Sequence, residues 1–219
     1  MTEAFALAER FSVAVLVSGN GTNLQALIDR LHVPVDSPVE IVLVVTSSAD
    51  APAAGRASAA GIRTEVVDRD DFEDRESRDR ALADVGDAAE PGLVVLAGWM
   101  SILTPWFLDR FPDRVINLHP SLLPSFPGMH AIDEAHAWGV RLTGVTVHFA
   151  DPEVDGGPPI LQEAVTVQSK DTVDDLRFRI RQVEHRLLAD AVALFAAGRV
   201  RRDQSRRRRV LIDNEGSQG

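Results

Sequence analysis

Apolar residues in this chain come as short uninterrupted runs separated by amphipathic stretches. Val13 to Val17 (VAVLV), Val39 to Thr46 (VEIVLVVT) and Leu93 to Ala97 (LVVLA) are such runs. Lacking a regular polar face, they predict strands of a parallel sheet covered on both sides. Helical spacings lie between them. Leu24, Leu27, Ile28 and Leu31 share one helical face, and Ala53 to Ala60 is alanine-rich and stops at Gly61. Phe72 to Val85 is charged, with Leu82 and Val85 as its buried side, and Pro105 to Phe111 carries proline in its first turn. A short strand is expected at Thr64 to Val67. Strands and helices alternating at these intervals predict parallel pairing with right-handed crossovers.

The pattern changes after Gly128. Ala131 to Trp138 reads as a helix, and Gly144 to Phe149 (GVTVHF) alternates as a half-buried strand does. Ala164 to Val167 reads as a further, antiparallel strand, so the sheet is expected to be mixed. Asp171-Thr172 offers an N-cap, and Thr172 with Asp175 fits a capping box. The helix that follows aligns Val173, Leu176, Ile180, Val183, Leu187, Ala191 and Leu194 on one face and ends by Gly198. An amphipathic lead-in before Val13, an edge strand at Val210 to Ile212 and a loose end complete the expectation. No linker or internal repeat divides the chain, so a single domain over residues 1–219 is expected.

Composition narrows the function classes. With 45% hydrophobic and 26% charged residues the chain is of the soluble globular class. It has no cysteine, which excludes disulfides, thiol catalysis and cysteine-ligated zinc. A net charge of −10 argues against a general polyanion binder. The opening MTEAFALAERFS does not read as a signal peptide, and the apolar run Leu93 to Leu103 is too short to span a bilayer. A cytoplasmic location is the expectation.

Val115 to Gly128, VINLHPSLLPSFPG, begins as a strand interrupted by Asn117 and ended by His119 before a proline-rich segment. Two apart on an extended chain, these side chains share one face. Asp155 lies in VDGGPP (Val154 to Pro159), a turn freed by Gly156 and Gly157 and closed by Pro158. Amide, imidazole and carboxylate supply a neutral donor, a group that carries a proton near neutral pH and a charge that tunes it, a set suited to acyl-type transfer. Singly, each has a plainer reading: His119 as a histidine packed beside Pro120, Asp155 as an ordinary turn aspartate. His148 falls on the polar face of its strand, where it either lines the crevice or faces water. His130 and His136 lie off a shared helical face and suggest no metal.

Ser18-Gly19-Asn20-Gly21-Thr22-Asn23 stands between a strand and a helix. Its glycines allow close backbone approach, and the N–H groups of the next turn favour an anion. The plainer alternative is a tight turn with Ser18 or Thr22 capping the helix. A dinucleotide site would want a third glycine where Leu24 stands and an acid where Val45-Thr46-Ser47 stands, so NAD binding is disfavoured. From the residues alone, Arg75 belongs to a solvated helix face and Met100, Ile102 and Leu103 to core or crevice wall. Glu184 reads as a surface residue and Arg206 to Arg209 as a solvated tail.

Together, SGNGTNLQALID, VVLAGWM, INLHPSLLPSFPG and VHFADPEVDGGPPILQ resemble the phosphoribosylglycinamide formyltransferase family over about residues 13–198. The resemblance implies an α/β, Rossmann-like three-layer formyltransferase fold, its sheet mostly parallel with an antiparallel C-terminal part. A phosphate-binding half (about 13–112), a folate-binding and catalytic half (about 113–198) and an arginine-rich tail (199–219) are implied. So is transfer of a formyl group from 10-formyltetrahydrofolate, as co-substrate, to the amine of glycinamide ribonucleotide in purine synthesis. No metal, nucleic acid or membrane is implied, and a homodimer is left open.

By position, Asn117, His119 and Asp155 match the family's catalytic trio, and Gly19, Asn20, Gly21, Thr22 and Asn23 its phosphate loop. Glu184 matches an acid that contacts the ribonucleotide, against its plainer reading. Arg75, Met100, Ser101, Ile102, Leu103 and Asn117 match folate contacts. The sequence departs from the family at Ser101, where the pattern has arginine, and Pro152 stiffens the segment Asp151 to Val154. Leu123-Pro124 is expected to be cis. The rival readings are a formyltetrahydrofolate hydrolase, a methionyl-tRNA formyltransferase, which would need a basic tRNA-binding domain, and a non-catalytic nucleotide or folate binding module.

Overall fold

In the computed structural model, which describes residues 10–203, 205–206 and 208–213, the apolar runs form strands β1 (Phe11–Val17), β2 (Val39–Thr46), β3 (Thr64–Val66), β4 (Leu93–Leu96) and β5 (Val115–His119). They are joined by helices α1 (Thr22–Leu27), α2 (Pro52–Ala59), α3 (Arg75–Asp87) and α4 (Pro105–Arg110). Helix α5 (Ala131–Trp138), strands β6 (Leu142–Phe149) and β7 (Pro159–Thr166) and the long helix α6 (Val173–Ala196) follow. One sheet runs β3-β2-β1-β4-β5-β6-β7. Its first five strands pair in parallel, and β6 and β7 are antiparallel.

Strand pleating explains the three layers. Val13, Val15 and Val17 of β1 point into a core with Leu24 and Leu27 of α1, Ala53 of α2 and Leu176, Ile180 and Leu188 of α6. Ala14 and Leu16 point the other way, onto Leu82 of α3 and Phe107 of α4. Both faces are therefore dry, which is why these strands carry no polar stripe. A register shift between Val13 and Ala14 against β2 changes the phase of the latter: Ile41 and Val44, three apart, face the same core.

Several expectations need correction. β6 is not half-buried: Thr143, Thr146 and His148 are as enclosed as its valines. Thr146 and His148 face the loop after β5 and the crevice instead of bulk water. Strand β7 starts at Pro159, five residues earlier than the apolar pattern placed it. Helix α3 starts at Arg75 because Asp74 caps it, its carboxylate accepting from Ser77 N at 2.7 Å while Ser77 reaches back. The strand expected at Val210 to Ile212 is present as β9 (Val210–Ile212), but it pairs with β8 (Val200–Arg202) as a separate ribbon and does not lie at the edge of the main sheet. Arginine-rich β8 gave no apolar pattern to announce it. The lead-in before residue 10, Gln204, Arg207 and residues 214–219, where the loose end was expected, lie outside the described residues. The capping box at Thr172 and Asp175 and the cis bond Leu123-Pro124 are as expected. No described helix is long and apolar enough to cross a membrane.

Candidate active site

Strands β1, β4 and β5 lie side by side and end at the same carboxyl edge of the sheet. The chain turns one way from β1 to β2 and the other way to reach β4, which opens a crevice between the loops after β1 and β4. Each sequence-singled segment falls on this edge: the glycine turn after β1, Met100 to Leu103 after β4, and Asn117 and His119 on β5.

Asn117 and His119 share the sheet face of Val115, and their partners across the antiparallel pair are His148 and Thr146. Asp155, from the turn after β6, comes down onto this group. Its Oδ2 lies 3.3 Å from His119 Nδ1 and accepts from Gly128 N at 2.7 Å. Its Oδ1 lies 3.4 Å from Asn117 Nδ2. Asp155 adopts a left-handed backbone conformation, φ 53°, which short polar side chains tolerate. Gly157 allows the turn to press against β6, because a methyl group there would stand 1.8 Å from the Phe149 carbonyl oxygen.

The ring orientations follow from the carbonyls they meet. His119 Nε2–H donates to Phe126 O at 2.8 Å, which leaves Nδ1 toward Asp155. His148 Nδ1–H donates to Phe149 O at 2.8 Å, so its Nε2 accepts from Asn117 Nδ2 at 3.2 Å. Burial pushes the pKa of His148 down, against the opposing influence of Phe149 O and Asp155. A neutral His148 is the form that can accept from the amide, and it thereby fixes which end of Asn117 faces Asp155. His148 thus lines the crevice and does not face water.

The glycine turn differs in one respect from its plainer reading. Neither Ser18 nor Thr22 caps α1: Gly21 stands at the N-cap in left-handed conformation with no side-chain cap. Ser18 Oγ instead accepts from Met100 N at 3.0 Å, which links this turn to the loop after β4. Arg56, which the sequence did not single out, holds the turn by donating to Asn20 O at 2.8 Å and Gln25 Oε1 at 3.1 Å.

Glu184 on α6 is half-buried and hydrogen-bonded to Asn23, so it is no plain surface residue. Burial raises its pKa, and the bonds from Asn23 and the charge of Arg181 only partly offset this. A raised folded pKa means that the contribution of Glu184 to stability is full below the unfolded value of 4.5 and is lost as pH rises through the folded one. Glu184→Gln, neutral at every pH, is therefore expected to melt above wild type at pH 7 and level with it near pH 4, by thermal unfolding at both pH values.

Arg75 is exposed, Leu103 is core, and Met100, though exposed, lines a cleft wall; Ile102 alone is neither core nor wall as its apolar character suggested. A cleft of about 680 Å³ brings Arg75 together with Arg78, Phe72, Met100 and Ser101. Asn117, His119 and Asp155 do not line it.

The sequence model of the formyl transferase family matches residues 11–192. Phosphoribosylglycinamide formyltransferase of Escherichia coli is 41% identical over 191 residues, 87% of this chain and 89% of its own length. The trifunctional purine biosynthetic protein adenosine-3 of Bos taurus is 42% identical over 189 residues, and there the matched part is 19% of the longer protein. Glycinamide ribonucleotide transformylase 1 from Symbiobacterium toebii superposes with a TM-score of 0.88 at 40% identity, covering 97% of this chain and 99% of that one. The chain belongs to the formyl transferase family.

Proposed function

We infer that the protein transfers a formyl group from 10-formyltetrahydrofolate to the amine of glycinamide ribonucleotide, a step of purine synthesis, and that it works in the cytoplasm. The observation that carries the reading is the meeting of amide, imidazole and carboxylate at one end of β5, within 3.4 Å of one another through Asp155.

The amine attacks the formyl carbon, and negative charge gathers on the formyl oxygen. Asn117 and a protonated His119 stabilise that oxyanion. At 3.4 Å the Asn117 N–H toward Asp155 is long, so it is the amide hydrogen most readily handed to a developing anion. His119, with Nε2–H held by Phe126 O, contributes its positive charge. Asp155 keeps that charge in place and steers a water that carries the amine proton to the leaving folate nitrogen.

Gly19, Asn20, Gly21, Thr22 and Asn23 take the substrate phosphate, and Glu184 takes the ribonucleotide. Arg75 and the main chain of Met100 to Leu103, with Asn117, take the folate. Ser101 supplies backbone contacts there without the long cationic side chain of the family pattern.

The test is to mix the protein with 10-formyltetrahydrofolate and glycinamide ribonucleotide and follow the deformylated folate by absorbance. Formyl loss that depends on the ribonucleotide is expected. Loss without it would indicate a hydrolase, and no loss under either condition a binding module.

A further inference from the structure

Arg78 and Asp79 are a buried ion pair that the chemistry above does not use. They are consecutive on α3, 4% and 0% exposed, in a helix whose other charged residues are mostly solvated. Asp79 Oδ1 accepts from Arg78 Nε at 2.9 Å and also from Nη2. The pair also reaches main chain: Asp79 Oδ2 accepts from Thr104 N at 2.6 Å, and Arg78 Nη2 donates to Ile102 O at 3.1 Å as well. The loop between β4 and α4 is thus gripped at residues 102 and 104. Its other end is held by Ser18, whose N–H donates to Gly98 O at 3.1 Å and whose hydroxyl oxygen accepts from Met100 N at 3.0 Å.

A buried ion pair is a poor stabiliser, since apolar side chains of similar volume commonly serve as well or better. Apolar side chains cannot, however, fix a backbone N–H and a backbone C=O at set points. Trp99 and Leu103 pack this loop into the core, but Met100 and Ile102 are exposed, so packing leaves the main chain between those two anchors to its hydrogen bonds.

We infer that Arg78 and Asp79 are positioning residues for the folate co-substrate, holding the main chain of Met100 to Leu103 in the conformation that receives it. This rests on the formyl-transfer reading. Neither residue takes part in the chemistry, and neither serves the ribonucleotide, whose phosphate that reading assigns to residues 19–23, beyond the Ser18 end of the loop.

The test is the double variant Arg78→Met/Asp79→Leu in the full chain, which replaces the pair by apolar groups. Initial rates are measured while each substrate is varied, alongside thermal unfolding. The expected result is a KM for 10-formyltetrahydrofolate raised about tenfold or more, with kcat and the KM for glycinamide ribonucleotide within about threefold of wild type. An unaltered folate KM overturns the inference, and so does an equal rise in both KM values, which would mean a general loosening of the scaffold. If the double variant does not fold, Arg78→Lys carries the same test: it keeps Asp79 paired but loses the fork that also reaches Ile102 O. A wild type that transfers no formyl group overturns the underlying reading and the inference together. A wild type that does, beside a variant with normal folate KM, overturns the inference alone.

Discussion

Alanine at Asn117 or at His119 is expected to lower kcat by about 10²-fold, roughly 3 kcal/mol in barrier, while both substrates still bind. Each residue meets the reacting carbonyl most strongly when its oxygen carries full negative charge, so its loss should fall on turnover more than on KM. Asn117 is held for this by a neighbour on each side, His148 Nε2 at 3.2 Å and Asp155 Oδ1 at 3.4 Å. His119 is held by Phe126 O and Asp155 Oδ2. Steady-state kinetics with each substrate varied gives the answer. Turnover within a few-fold of wild type would remove that residue from the chemistry.

Asp155→Asn should cost about as much or more, on the order of 10²- to 10³-fold in kcat, because one carboxylate serves three partners. It faces His119 Nδ1, faces Asn117 Nδ2 and receives Gly128 N. Asparagine tolerates the same left-handed backbone, so the turn should keep its shape and the loss should report on charge. Removing the carboxylate also removes the charge that faces His119 Nδ1 at 3.3 Å. The double variant Asp155→Asn/His119→Ala is therefore expected to be little slower in kcat than the worse of the two single variants, and fully additive losses would refute the link between the two residues.

The sequence disclosed most where one physical demand dominated. Dry strands had to be apolar throughout, so β1, β2 and β4 were legible within a residue or two. Asn117 and His119 were visible because polar residues inside such a strand are costly unless they have a use. Features that depend on burial of polar groups by distant segments stayed hidden. His148 looked half-solvated because nothing local tells that the turn carrying Asp155 folds over it. Arg78 and Asp79 looked like any other charges on α3, since only the loop after β4 encloses them. Arg56 sits 36 residues from Asn20, whose carbonyl it holds, and no spacing rule connects them. Thr22 was a reasonable cap by type, but Gly21 takes that place with a left-handed turn.

The first strand ends up inside the sheet, flanked by the second and the fourth, and the crevice opens beside it. A growing or refolding chain must therefore hold β1 with one neighbour missing until β4 is formed, and the group around Asp155 cannot assemble before β5 and β6 have joined in turn. Recovery of enzyme activity is thus a late clock, running behind the return of helical signal, because every pairing that builds the pocket spans a long stretch of chain.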